Sequence, residues 1–225
     1  MANPIRVTLE IGLRDKKVVA VAPDWPGLER GAATAEAAVE RIRSYVPRYA
    51  AVARLAGLEA AFANITGVDV VEQYPGTGST DFWGISFAFS SIDRQDVSDE
   101  VLERELALMQ ACWAFFDEVR SRVSAEMQRG PRGGGRDRDR IVRHTFAAEL
   151  DWTKKLGMHT PLESLLTDAG LTAHREAYCS AIRALHSQGA MARNWPLRYL
   201  IRHTAYHTFD HAWEMEDKDL TVKQS

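Results

Sequence analysis

Apolar and polar positions fall into two regimes along this chain. In "IRVTLEI", Val7, Leu9 and Ile11 alternate with polar neighbours, the period-two pattern of a half-buried strand. A turn-like run of Arg14, Asp15, Lys16 and Lys17 leads to Val18, Val19 and Val21, so the two runs predict a hairpin. "PDWPGLERGA" is rich in Pro and Gly and reads as a loop. Thr34 then stands as an N-cap before Ala35, Ala38, Val39, Ile42, Tyr45 and Val46, which recur at helical spacing. Pro47 lacks an N–H and clashes with the preceding turn, so the helix is expected to kink or end there, with a second helical segment over 48–58. "VDVVEQYP" and "DFWGISFAFS" predict two more strands, the second from alternating Trp83, Ile85, Phe87 and Phe89. "GTGS" between them has no GK[ST] and matches no P-loop, so it reads as a hairpin connection.

Beyond Ser90 the period changes to helical. Ser98 heads a helix with acidic residues in its first turn and a stripe through Leu102, Leu106, Met109, Trp113, Phe116 and Val119. "QRGPRGGGRDRDR" cannot support a packed core and reads as a solvated mobile linker. Helical segments follow over about 138–156, 162–185 and 197–216, with Pro161 and Pro196 at starts that tolerate proline. The fold class expected is therefore α+β: a small α/β module over 1–92, then an antiparallel four-helix bundle over 93–225.

Composition narrows the function. The chain has 225 residues, 28 basic and 31 acidic, for a net charge of −3, and 45% of it is apolar. That balance suggests neither a nucleic-acid nor a membrane binder. No apolar run reaches the length of a membrane span. Two distant cysteines, Cys112 and Cys179, argue against a disulfide framework and for a cytoplasmic protein, with Cys112 in "LMQACWAFF" as a core residue.

The candidate chemistry lies in histidines. "LIRHTAYHTFDHAWEMED" spaces His203, His207 and His211 four apart, nearly on one helix face. Such pairs can grip one divalent ion, and a facing helix must bring a third ligand. His144 shares a stripe with Ile141, Ala148 and Trp152 and is the candidate. Three nitrogens plus open positions is the arrangement of a catalytic metal. The competing reading is a hydrogen-bonded core histidine and an incidental surface ladder. His159, His174 and His186 have no partner at metal spacing and read as surface or capping residues. Asp151 is expected nearer the site than Glu149, and Asp210 and Glu214 flank His211, as possible orienting groups or bases.

Over about residues 95–220 these motifs resemble the DinB-like (YfiT-like) four-helix-bundle superfamily. The likeness rests on His144 in "RHTFAAELDW" and the His-x3-His of "RHTAYHTFDHAWEMED". It implies a divalent metal (Zn, Ni or Fe) held by His144, His207 and His211, with His203 and His207 as the alternative register. It further implies a thiol transferase or hydrolase acting on a small-molecule substrate, a low-molecular-weight thiol as co-substrate, and a tendency to form homodimers. The alternative is a non-enzymatic metal- or ligand-binding sensor. The N-terminal third is similar to the HicB-like fold through Asp24, Pro26, Gly27, Gly31, Thr34, Glu36 and Ala37. Trp25 departs from that pattern and no DNA-binding segment follows, so the likeness implies a small α/β fold without a repressor's function.

Overall fold

Alternating branched residues extend Ile5–Ile11 as β1 in the computed structural model, which describes residues 3–131 and 134–221. The hairpin partner β2 covers Val18–Val21, antiparallel to β1 with Leu9 opposite Ala20. A third strand, β3 (Glu29–Ala32), pairs antiparallel with β2 where a loop was expected. Its "ERGA" has no apolar alternation, because Glu29 and Arg30 are buried as charges with partners rather than as apolar groups. β4 (Val68–Pro75) lies parallel to β1 and completes a mixed sheet of order β3-β2-β1-β4.

Thr34 caps α1 (Ala35–Leu55) by accepting from the Ala37 N–H. The helix runs unbroken through Pro47, contrary to the expected kink or stop. Proline forfeits a single backbone bond there, and the burial of Ile42, Tyr49, Val52 and Ala53 on both sides holds the helix together. The short α2 (Glu59–Ala63) then leads into β4.

The expected strand over 81–90 does not form. Thr77 and Thr80 build a capping box that opens α3 (Gly78–Trp83), so "GTGS" starts a helix instead of joining two strands. Residues 84–91 are irregular because carboxylates take their backbone donors. Ser86 N–H goes to Glu29 Oε1 at 2.6 Å, and Phe87 and Ala88 N–H go to Glu10 at 2.9 and 3.0 Å. Glu10 also accepts from the hydroxyls of Tyr74, Thr80 and Ser86. Thr8 and Glu10 are consequently buried along with Val7 and Leu9, so β1 is covered on both faces rather than one.

The helical segments fall where expected, except that 162–185 is split into two helices. Ser98 caps α4 (Asp99–Arg122), Asp137 caps α5 (Arg138–Thr153), and a 3₁₀ turn over Lys154–Leu156 follows. After α6 (Leu162–Leu165), Thr167 caps α7 (Asp168–Ser187), and Pro196 stands at the N-cap of α8 (Leu197–Asp217). The Gly/Arg stretch expected as a linker includes 132–133, which lie outside the described residues. The fold is thus α+β, with eight α-helices and four strands among the described residues.

One apolar cluster runs from the sheet into the long helices, across the boundary expected at 92/93. Tyr49 of α1 packs on Trp25 and on Phe209 of α8, at 6.1 and 5.6 Å between ring centroids, and donates to Pro26 O at 2.6 Å. Cys112 lies in this core. Among the described residues no helix is long and apolar enough to cross a membrane.

Candidate metal centre

α8 carries two kinds of side chain on two adjacent strips, each repeating every four residues. Arg198 and Arg202 form one strip, directed at β3, at α4 and at the 3₁₀ turn Ile92–Arg94. His203, His207 and His211 form the other, one position round, directed at α5.

His144 of α5 meets the second strip near its C-terminal end. The ring centroids of His144, His207 and His211 lie 4.5–5.3 Å apart, and one nitrogen from each falls within 4.8 Å of the others. His203 is not in that set. Its ring stacks on Tyr199 at 5.1 Å and 17°, with Trp152, Trp195 and Phe87 around it. Of the two registers weighed from sequence, the structure brings together His207 and His211 with His144.

Two of these rings, His207 and His144, are shifted toward the neutral form. Burial, and after it repulsion from His211, His203, His144 and Arg136, holds His207 well below the usual imidazole range. His144 is also lowered, first by burial and then by Arg136 and His211. Neutral imidazole is the form that donates a lone pair to a cation. His211 Nδ1 contacts Glu214 at 2.7 Å, which leaves Nε2 free. Glu214, bonded to His211 and Lys218, is pulled down to about 2 and stays ionised. A carboxylate behind a histidine fixes its tautomer and raises its basicity, as at many metal sites.

The residues fit a divalent ion on a further observation. His207 Nδ1 is buried without a hydrogen-bond partner, a costly state for a polar atom unless something else occupies its lone pair. Three imidazoles also leave coordination positions open, and His144 is exposed on the outer side of the cluster.

The carboxylates fall differently from the sequence expectation. Asp151 is exposed and paired with Lys154, whereas Glu149 is buried, accepting from Trp113 Nε1 at 2.9 Å. Asp210 is paired with Arg30 at 2.8 Å. His174, expected at the surface, is 3% exposed, lies 3.3 Å from Glu149 and bonds Thr160 through Nδ1. The signal was available: Leu171, His174, Tyr178 and Ile182 share one buried helical stripe. His186 pairs with Asp99, and His159 is exposed. The aromatic surround of His203 went unforeseen from sequence, since Phe87, Trp152 and Trp195 come from three separate segments.

Comparison with family models, with curated proteins and with solved structures finds no match to this chain.

Proposed function

We propose that the protein holds one divalent cation at His144, His207 and His211 and uses it to transform a small-molecule substrate. The observation that carries this reading is the approach of three imidazoles from two helices to within 4.8 Å, one of them with an orphaned buried nitrogen. Zinc, nickel and iron all accept such ligands. The ion would supply Lewis acidity, lowering the pKa of a bound water or thiol so that a nucleophile forms near neutral pH. The chain's own groups do the rest. Glu214 holds the His211 ring, and Trp152, 5.0 Å from His207, shields that ligand from water. The likeness to DinB-like proteins favours transfer of a low-molecular-weight thiol or hydrolysis of an amide.

A second reading has its own support. Glu214, Asp210 and Asp151 are each tied to another group, so none of these three carboxylates stands free as a base. That favours a non-enzymatic metal-dependent sensor. Metal analysis of untagged protein tests both. One ion per chain is expected for the wild type and for His203→Gln, with loss in His144→Ala and His207→Ala. Unchanged metal in both alanine variants overturns the site. Metal lost on mutation but no turnover across a panel of thiol-transfer and amide substrates selects the sensor.

A further inference from the structure

The strip of α8 that carries the triad begins in a different environment. His203 is 3% exposed, and its Nδ1 has no hydrogen-bond partner. Around its ring stand Tyr199, which is buried, and Trp152, Trp195 and Phe87, which are half-buried. Half-buried aromatic rings around a buried polar atom with nothing to bind describe a place where a ligand's donor or acceptor would meet His203.

Two cations border the same walls. Lys155 Nζ lies 4.2 Å over the Trp195 ring. Trp195 closes a tight turn through reciprocal backbone bonds with Ala192 of 3.0 and 3.1 Å, and that turn contains Arg193. Arg193 adopts φ +56°, a left-handed conformation that costs a non-glycine residue free energy. Among the described residues neither Lys155 nor Arg193 has an acidic partner. Burial, and then the Arg193 charge, pushes the Lys155 amine below its usual range. A strained turn that carries one unpaired cation, and whose Trp195 ring carries another, makes sense when an anion settles there.

We infer that Lys155 and Arg193 hold the carboxylate of an aromatic acid whose ring lies against Trp195 and Trp152 and which hydrogen-bonds to His203. Trp152 touches both His203, at 4.8 Å, and His207, at 5.0 Å, so such a molecule extends from this aromatic basin toward the three-histidine cluster. The inference names the substrate class of the proposed metal centre and rests on that reading for the reaction. The binding itself needs no metal.

That independence shapes the experiment. Chelator-treated full-length protein is titrated by calorimetry with 3-phenylpropionate, its alcohol analogue 3-phenylpropan-1-ol, propionate, and phenyl phosphate. Phenylpropionate is expected to bind saturably and about tenfold or more tighter than the alcohol or propionate. Lys155→Met should weaken it about tenfold. Arg193→Gly, which suits the left-handed turn and so keeps the fold, should do the same. Trp195→Leu should abolish the preference for phenylpropionate over propionate. Equal affinity for acid and alcohol, no effect of Lys155→Met, tighter binding of phenyl phosphate, or no saturable binding each overturns the inference. Metal content measured on the wild type separates the two claims. No saturable phenylpropionate binding in wild-type protein with normal metal sinks this one alone, and saturable binding in wild-type protein that never takes up metal sinks the metal centre alone.

Discussion

The two strips of α8 are built from basic residues one position apart, yet they solve opposite problems. Arg202 is 2% exposed and every guanidinium nitrogen is engaged: two bonds to Asp93 at 2.7 and 2.8 Å, and others to Ser86, Glu29 and Ala88. Arg198 is bound in turn to Glu105 and Asp24. A buried charge is tolerated when its partners replace its water, and here they do. On the neighbouring strip His203 and His207 are as deep or nearly so, but each keeps an Nδ1 with no partner. Deep burial therefore means closure on one side and unspent binding capacity on the other.

That contrast can be broken by four measurements of decreasing effect. Arg202→Met strands Asp93 and Glu29 in the interior, and urea denaturation should report a loss of about 3–5 kcal/mol. A mutant within about 1 kcal/mol of wild type would mean that the network is not what holds α8 to the sheet. Gly31→Ala should cost about 1–3 kcal/mol, because a Cβ there would lie 2.1 Å from the Gly84 carbonyl oxygen and force β3 and the end of α3 apart. A thermal melt that stays put would show that this approach relaxes freely.

The third effect depends on pH. Burial takes His203 from its ordinary 6.5 to about 3, so between those values the unfolded chain binds a proton that the folded chain refuses. Its contribution to stability is complete above 6.5 and is lost as pH falls toward 3, by at most about 1.4 kcal/mol per pH unit. Glu29, raised by burial to about 7, acts in the opposite sense and costs stability as pH rises from 4.5 to about 7. Metal-free His203→Gln should therefore lose stability less steeply in acid than metal-free wild type, and parallel curves would show that this imidazole is not held neutral. Smallest of all, His144→Ala should change folding stability by less than about 0.5 kcal/mol, since the side chain is exposed, while abolishing metal uptake. A large stability loss there would move His144 from the ligand-binding side of the comparison to the structural one.

Elements stabilised by local signals were readable from the chain. Thr34, Ser98, and the stripes of α4, α5 and α8 declare their helices, and the Val-rich runs declare β1, β2 and β4. The errors occur where distant carboxylates override local pattern. Alternation in 81–90 is real, but the N–H groups of 86–88 are taken by Glu29 and Glu10, more than fifty residues upstream, so no ladder forms. β3 escaped notice because its side chains are charges whose partners, Asp210 and Arg202, lie on α8. In the candidate centre, the choice of His207 with His211 came from the family resemblance, while helical periodicity was enough to set His203, His207 and His211 on one face and to nominate His144. It could not foresee that Glu149 turns inward to Trp113 and His174 while Asp151 turns to solvent, since both sit on the same helix two residues apart.

Glu10 gathers five donors from Tyr74, Thr80, Ser86, Phe87 and Ala88 onto one carboxylate. The segment it anchors carries Phe87 to within 5.9 Å of the His203 ring. A wall that would otherwise belong to a wandering loop is thereby as fixed as the central strand of the sheet. A molecule settling against Phe87 would meet a surface whose ordering entropy was already spent during folding, so little of its binding energy would be diverted into arranging its own receptor.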